Sequence, residues 1–245
     1  MEKYKRILII VPAFNEEGNI QKTVEEIFAL NRSDVSVLVV DDGSFDETFF
    51  KACQTKGFVI SHPFNLGIGG TVQTGFKFAK EKNFDYAVQV DGDGQHDVCY
   101  LETILNPLLN NEADVVIGSR FLPPHLGYQS SFVRRIGIHF FARLISFLTD
   151  YKVTDPTSGF RAYNRKMIDV FAEYYPQDFP EPEAIAVASR YQARVVEVAV
   201  QMRERTEGNS SIRYLKTLYY MIKVTFAIVL DKLKPKSHLR SGIGG

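Results

Sequence analysis

The sequence has little of what marks several classes of protein. Its 29 basic and 29 acidic residues cancel over 245 positions, which argues against a protein that mainly coats nucleic acid. It has two cysteines, Cys53 and Cys99, without metal-type spacing and in apolar, helix-like surroundings. We therefore expect buried free thiols in a reducing cytosol. No apolar run reaches the roughly 20 residues that span a bilayer, and the N-terminal apolar run breaks at Pro12, which indicates a strand and not a signal peptide.

What is present is an alternation of strand-like and helix-like stretches. Hydrophobic residues make up 45% of the chain, enough for a sizeable core in one α/β domain. Because strands that alternate with helices favour parallel pairing, the pattern predicts a mostly parallel sheet with helices on both faces. The expected strands are residues 7–11, 35–40, 58–61, 86–90 and 114–118, and the expected helices are residues 20–30, 46–56, a glycine-rich stretch running through 82, and 100–110.

The stretch VQVDGDGQHD, residues 88–97, carries the strongest chemical signal. Alternation along an extended chain points Asp91 and Asp93 the same way at the end of a strand. Two carboxylates held that close are costly without a cation, and oxygen ligands suit Mg²⁺ or Mn²⁺. The alternative is an acidic turn that caps a helix starting near Val98.

Other strand ends carry further candidates. Asp41 and Asp42 follow the second strand, at the edge where open α/β sheets bind ligands. Gly67, Gly69 and Gly70 resemble a dinucleotide fingerprint only loosely, and they follow the third strand instead of the first. Their backbone N–H groups could approach a phosphate or a sugar, or the glycines could allow tight helix packing.

Five motifs occur in an order that resembles one family. They are VPAFNEE, VVDDGSFDET, DGDGQHD, GSR at 118–120 and DPTSGFRAY at 155–163. Together they resemble glycosyltransferase family 2, and within it the branch that contains dolichyl-phosphate mannose synthase and polyprenyl-phosphate sugar transferases. The resemblance implies a GT-A fold over residues 1–211, a divalent cation (Mg²⁺ or Mn²⁺), a UDP, GDP or dTDP sugar as donor, and inversion at the anomeric carbon.

The resemblance also implies roles for individual residues. Asp91, Asp93 and Gln95 would hold the metal and, with Gly92, the donor diphosphate. Arg205, in the late Arg-x-x-Gly-x-Ser pattern, would close over the donor. The nucleotide base and ribose would contact Pro12, Ala13, Phe14, Glu16, Val39 and Asp41.

The acceptor is the step that the residues leave open. Arg120 would meet a phosphate of the donor or acceptor, and Arg134 could hold an acceptor phosphate. A polyprenyl phosphate is already anionic, whereas a sugar hydroxyl needs a base. Asp155 and Glu183 are the candidates, although Glu183 could equally stabilise the start of a helix.

Two departures from the family pattern concern the sugar. Ile68 stands where many relatives have a basic residue, and residues 209–211, Asn-Ser-Ser, replace a Gly-x-Ser-Lys ending. Both leave the reaction class intact, but they weaken the assignment of mannose.

Residues 132–148 and 212–233 mix basic and large apolar side chains, which is typical of helices lying in a membrane interface. The alternative for each is a core helix or a dimer seam, so a homo-oligomer is possible. Residues 212–245 would form an interfacial helix and a basic, disordered tail.

The sequence therefore predicts an inverting, metal-dependent sugar transferase, peripheral on the cytoplasmic face of the membrane, with a polyprenyl-phosphate or lipid-linked acceptor. The rivals are transfer to a hydroxyl of a growing cell-surface polysaccharide, a nucleotidyltransferase, and a catalytically silent scaffold. The nucleotidyltransferase would need a basic glycine-rich loop after the first strand, where PAFNEE stands.

Overall fold

The computed structural model describes residues 5–123, 132–149 and 151–203, together with positions 223, 225, 226, 229 and 230. Within residues 132–137 it describes the backbone alone. Arg205, the side chain of Arg134, and nearly all of the predicted interfacial helix and tail lie outside the described residues.

Seven strands form one sheet, in the order β3-β2-β1-β4-β6-β5-β7. Strand β6 runs antiparallel to its neighbours β4 and β5, and the other pairs are parallel. The mostly parallel α/β fold expected from the sequence is thus confirmed. In chain order the elements are β1 (Ile7–Ala13), α1 (Ile20–Ala29), β2 (Val35–Asp41), α2 (Thr48–Cys53), β3 (Phe58–Ser61), α3 (Gly67–Glu81), β4 (Tyr86–Gln89), α4 (Leu101–Leu109), β5 (Val115–Ser119), α5 (Phe132–Thr149), β6 (Arg161–Asn164), α6 (Arg165–Glu173), α7 (Pro180–Arg190) and β7 (Val195–Ala199).

Successive side chains of a strand point to opposite sides of the sheet. The central strands are buried on both faces because helices cover both sides. Leu8 and Ile10 of β1 belong to a core that also contains side chains of α3, α6 and α7. Ile7 and Ile9 belong to a second core with side chains of α1 and α4. The continuous aliphatic runs of the sequence therefore fill two cores, and the polar residues that follow these strands collect at the carboxyl edge of the sheet.

Helix α3 shows what the glycine-rich stretch does. The helix begins at Gly67, so the following glycines are helical and do not form a loop. A Cβ on Gly75 would lie 2.3 Å from Cγ2 of Ile10, and one on Gly69 would lie 2.3 Å from the carbonyl oxygen of Pro176. Both glycines are places where only a hydrogen fits. Close packing is therefore the role that the structure shows for them.

Both cysteines are exposed, so the expectation of buried thiols is wrong. Helix α2 is shorter than predicted and turns Thr48 and Ala52 inward, which leaves Cys53 at its last position facing solvent. Cys99 lies in a short 3-10 turn, Val98–Tyr100, whose buried residue is Val98. In each case a helix of one or two turns buries one side chain per turn, and the cysteine follows directly after a buried residue, Ala52 or Val98.

Helix α5 has two different faces. Ile138, Phe141 and Ile145 are buried in the molecule, whereas Phe140 and Phe147 are exposed, the latter by 79%. His139 and Arg143 lie on the exposed side as well. The helix thus packs on the core and also presents an aromatic and basic face to its surroundings. Within the described ranges, we found no helix whose length and hydropathy would let it cross a membrane.

Candidate active site

A cleft of about 310 Å³ lies at the carboxyl edge of the sheet. It is bounded by the ends of β1, β2 and β4, by the first turn of α3 and by the start of α7. Seven of the residues to which the family resemblance assigns a role line it, namely Pro12, Ala13, Phe14, Glu16, Asp91, Gly92 and Asp93. The other lining residues are Asp42, Asn65, Gly67, Ile68, Thr71 and Glu181.

The turn after β1, which lines the cleft through Phe14, is joined to the turn after β2 by reciprocal hydrogen bonds. The backbone N–H of Asn15 donates to the Ser44 hydroxyl, and that of Phe45 donates to Oδ1 of Asn15, each at 3.0 Å. Asn15 has a positive φ of 54°, a conformation that asparagine tolerates well. Phe14 and Phe45 make an edge-to-face contact with ring centroids 6.1 Å apart. The turn after β1 therefore offers a braced aromatic surface.

Asp91 and Asp93 lie beyond the end of β4, and both face the cleft. The backbone N–H of Asp91 donates to Nδ1 of His96 at 2.9 Å, and the Gln89 side chain donates to Oδ1 of Asp91 at 3.2 Å. Oδ1 of Asp93 accepts the backbone N–H of Gln95 at 3.0 Å. The turn is thus held by its own side chains, which place two carboxylates along one side of the cleft.

The cleft has a strongly acidic character. Among the described residues that line it, five are acidic and none is basic, the acidic ones being Glu16, Asp42, Asp91, Asp93 and Glu181. Nowhere in the described part of the chain do three or more His, Cys, Asp or Glu side chains converge in a ready-made metal cluster. The pair Asp91 and Asp93 nevertheless fits Mg²⁺ or Mn²⁺, because such ions are commonly held by one or two carboxylates and complete their shell with water and phosphate oxygens.

Gln95, the third predicted metal ligand, does not line the cleft. The side-chain amide of Gln95 donates to the backbone carbonyl of Arg203 at 3.4 Å. The backbone carbonyl of Gln95 accepts the backbone N–H of Arg203 at 2.8 Å. His96 forms an isolated antiparallel bridge with Met202. The acidic turn is therefore paired with residues 202 and 203, directly before the segment that contains Arg205.

Two residues of β2 predicted to contact the nucleotide lie outside the lining of the cleft. Val39 is fully buried, and Asp41 is 1% exposed. The carboxylate of Asp41 accepts the N–H of Ser44 at 3.2 Å and the hydroxyl of Ser61 at 2.7 Å. Asp42, one position later, faces the cleft instead, because adjacent positions point to opposite sides. Nucleotide contacts by Val39 and Asp41 stay predictions.

Arg120 and Asp155 are paired inside the protein and do not line the cleft. The guanidinium of Arg120 donates to both oxygens of Asp155, at 2.6 and 2.7 Å, and to the hydroxyl of Thr157 at 2.9 Å. Asp155 is fully buried, and both its oxygens accept from Arg120. A role of Asp155 as base stays a prediction. The phosphate contact of Arg120 stays a prediction.

Glu197 supports this pair from β7. Its carboxylate accepts the N–H groups of Thr154 and Asp155, each at 2.8 Å, and the Thr154 hydroxyl at 2.7 Å. Burial raises the pKa of Glu197, while these hydrogen bonds oppose the rise. Nothing in the sequence motifs pointed to Glu197, since a lone glutamate in a strand has no signature.

At the start of α7 the carboxyl group that lines the cleft is that of Glu181, whereas Glu183 is outside the lining. Burial raises the pKa of Glu181 to about 7, the negative charge of Asp91 adds to the rise, and the positive charge of Arg161 opposes it. Arg161 donates to the carbonyl of Glu181 at 2.6 Å. Both glutamates stand next to Pro182 in the sequence, and the sequence alone does not tell which of the two faces inward.

Comparisons with known proteins identify the family. The family model "Glycosyl transferase family 2" matches residues 8–171. A UDP-N-acetylglucosamine–dolichyl-phosphate N-acetylglucosaminyltransferase from Methanococcus voltae is 28% identical over 250 residues, covering 93% of this chain and 99% of the relative. An undecaprenyl-phosphate mannosyltransferase from Micrococcus luteus is 30% identical over 217 residues, covering 84% and 87%.

A solved structure has the same fold. Glucosyl-3-phosphoglycerate synthase from Mycobacterium tuberculosis, in complex with Mn²⁺, UDP and glucosyl-3-phosphoglycerate, superposes with a TM-score of 0.70. It covers 98% of this chain and 83% of the solved chain at 19% identity. At that identity the likeness concerns the fold alone, and it supports the GT-A architecture expected from the sequence.

Proposed function

Since the chain belongs to glycosyl transferase family 2, we propose that it transfers a sugar from a nucleotide-sugar donor to the phosphate of a polyprenyl lipid, with inversion at the anomeric carbon. The observation that carries the proposal is the cleft itself. It brings the turn after β1, with Phe14, and the acidic turn after β4, with Asp91 and Asp93, to one place.

The donor fits this cleft in two parts. Phe14, braced by Phe45, offers a ring face to a nucleobase, and a flat aromatic contact needs no particular base. Asp91 and Asp93, which also line the cleft, are suited to hold the diphosphate through its cation. When bound, the cation would neutralise charge on the leaving diphosphate. Arg205 would add a positive charge from the segment that follows Arg203.

A cation is needed because of the charges of the cleft. A nucleoside diphosphate is an anion, and five acidic side chains line the described cleft. Like charges at close range repel, and the repulsion grows where water is excluded. The residues therefore indicate that nucleotide binds together with a divalent ion, either Mg²⁺ or Mn²⁺.

A lipid phosphate as acceptor is supported by the relatives, whose names specify dolichyl and undecaprenyl phosphates. A phosphate oxygen is anionic at neutral pH, so its attack on the sugar needs little help from a base. This agrees with the burial of Asp155 in its ion pair with Arg120. The task of this chain's residues is then to bind, orient and exclude water.

A hydroxyl acceptor is the second candidate, and Glu181 is the observation that favours it. Its carboxyl faces the cleft, and its pKa of about 7 suits a general base at neutral pH. Glu183, the base proposed from the sequence, would then be replaced in this role by Glu181. Transfer to a hydroxyl should fall by about 10²- to 10⁴-fold in Glu181→Gln, whereas transfer to a phosphate should not.

A peripheral position on the inner face of a membrane follows from a lipid acceptor. The exposed face of α5, with Phe140, Phe147, His139 and Arg143, is suited to the interface between lipid headgroups and acyl chains. The predicted interfacial helix at 212–233 would be a second contact. Homo-oligomer formation stays a prediction.

The experiment is a transfer assay with purified protein, Mg²⁺ or Mn²⁺, a panel of UDP, GDP and dTDP sugars, and a polyprenyl phosphate. Formation of a polyprenyl-phosphate sugar supports the proposal and identifies the donor. Nucleotide binding without transfer to the lipid would favour the hydroxyl acceptor. Absence of both would overturn the proposal.

A further inference from the structure

The carboxylate of Asp42 holds three N–H groups at the edge of the cleft. It accepts from Nδ1 of His62, from the backbone N–H of Leu66 and from the backbone N–H of Gly67, each at 2.8 Å. Asp42 is 3% exposed and His62 is 8% exposed. The end of β2, the segment after β3 and the start of α3 therefore meet at one buried carboxylate.

Asp42 acts as the cap of α3 from outside the helix. The residue at the N-cap position is Leu66, whose side chain makes no capping hydrogen bond, and the first N–H groups of a helix need partners. Asp42 supplies them for Leu66 and Gly67, and its negative charge suits a helix N-terminus. Gly67 has a φ of +81°, so the chain enters the helix through a conformation that the cap must hold in place.

The turn held in this way forms one wall of the cleft. Asn65, Gly67 and Ile68 all line it, together with Phe14 and the acidic turn. Three donors already occupy Asp42, so its carboxylate is better suited to holding the wall than to binding a ligand. A change in the direction of this wall would alter the width of the site.

His62 is held by its backbone N–H and by both ring nitrogens. Its backbone N–H donates to the carbonyl of Asp41 at 2.8 Å, and its Nε2 lies 3.0 Å from the hydroxyl of Thr74 on α3. Because a carboxylate oxygen accepts, Nδ1 must carry the proton that faces Asp42. The ring thus ties Asp42 to the second turn of α3 as well as to its first.

We propose that His62 is a positioning residue for donor binding, which acts through Asp42 to set the direction of residues 65–68. This inference rests on the proposed function. His62 is not in the lining of the cleft, so it acts on the donor only through the wall. Its loss should weaken nucleotide binding and leave the turnover of bound donor nearly unchanged.

Two amide variants of His62 test the hydrogen bonds of its two ring nitrogens separately. In His62→Asn the amide N–H₂ takes the place of Nδ1 and keeps the bond to Asp42, whereas in His62→Gln it takes the place of Nε2 and loses that bond. We expect His62→Gln to raise the Kd for UDP or GDP with Mn²⁺, and the KM for the donor sugar, by about tenfold, with kcat changed less than about twofold. His62→Asn should stay close to wild type, and Thr74→Val, which removes only the outer contact, should have a smaller effect than His62→Gln.

Melting temperatures of all variants show whether the protein is folded. Should His62→Gln fail to fold, His62→Ala tests the same link, because it removes the bond to Asp42 without placing a new polar group at the buried position, and the expected result is again a weaker Kd with kcat retained. Equal Kd values for wild type and for the His62→Gln or His62→Ala variant that folds would overturn the inference, as would a loss confined to kcat. Failure of the wild-type protein to bind UDP, GDP or dTDP would overturn the proposed function itself and this inference with it.

Discussion

The guanidinium of Arg120 makes two hydrogen bonds to the carboxylate of Asp155, at 2.6 and 2.7 Å, and both side chains are buried. Arg120 follows β5 and Asp155 precedes β6, so the pair joins two neighbouring segments beside the site. The folded protein is strongly destabilised when a buried charge loses its partner, because water cannot replace that partner.

Asp155→Asn should therefore lower the free energy of unfolding by about 3 to 5 kcal/mol. The matched control is Asp169→Asn, which removes one partner of the partly exposed i,i+4 pair between Arg165 and Asp169. That change should cost less than about 1 kcal/mol. Urea denaturation of both variants measures the difference, and equal costs would show that Arg120 finds another partner or water.

Asp93→Asn should abolish turnover while the protein stays folded, because its carboxylate faces the cleft and is the proposed ligand of the cation. The matched control is Asp97→Asn in the same turn. Asp97 does not line the cleft, and it accepts the N–H of Cys99 and a bond from Arg203. We expect this control to keep its metal dependence and lose about 1 kcal/mol of stability. Mn²⁺ binding, measured by calorimetry, should be weakened in Asp93→Asn alone; unchanged binding there would remove Asp93 from the metal site.

Gly159→Ala tests whether the position of the Asp91 carboxylate matters for ion binding. A Cβ at residue 159 would lie 2.7 Å from Oδ2 of Asp91, so the carboxylate must move. We expect about tenfold weaker Mn²⁺ binding with a small change in melting temperature, since the end of a side chain shifts at little cost. Gly57→Ala is the control, because its Cβ would have no neighbour closer than 3.3 Å. Equal Mn²⁺ affinity in both variants would show that Asp91 moves without consequence for the ion.

Glu181 should make stability depend on pH. Its folded pKa of about 7 lies above the ordinary value of 4.5, so the folded protein binds the proton more tightly than the unfolded chain does. The corresponding stability is fully present below pH 4.5 and is lost as the pH rises through 7. Relative to Glu181→Gln, which does not titrate, the wild type should lose on the order of 2 to 3 kcal/mol between pH 4.5 and pH 8. Denaturant midpoints at both pH values measure this, and a constant difference would mean that Glu181 is well solvated.

Particular residues show how far the sequence could go. Asp91 and Asp93 were predictable, since a short buried strand followed by alternating acidic residues puts both carboxylates at one edge of the sheet. Asp42 and Glu181 were harder to assign. Each stands beside another acidic residue, at positions 41 and 183, and the choice depends on which side of the backbone faces the cleft. That direction is set by contacts distant in sequence, such as the bond of Arg161 to the carbonyl of Glu181.

The exposed aromatic residues of α5 provide the test of membrane contact. Phe140 and Phe147 stand on the outer face of the helix, and burying a phenylalanine in an apolar phase is worth about 1.5 to 3 kcal/mol. The double variant Phe140→Ser, Phe147→Ser should therefore reduce binding to vesicles of phosphatidylcholine and phosphatidylglycerol by at least about tenfold. The control is Phe50→Ser, Phe58→Ser, which removes two phenylalanines that are 59% and 54% exposed elsewhere on the surface. Vesicle flotation compares the two. An equal loss would show that exposed apolar area in general drives binding, and no loss in either would remove α5 from the membrane contact.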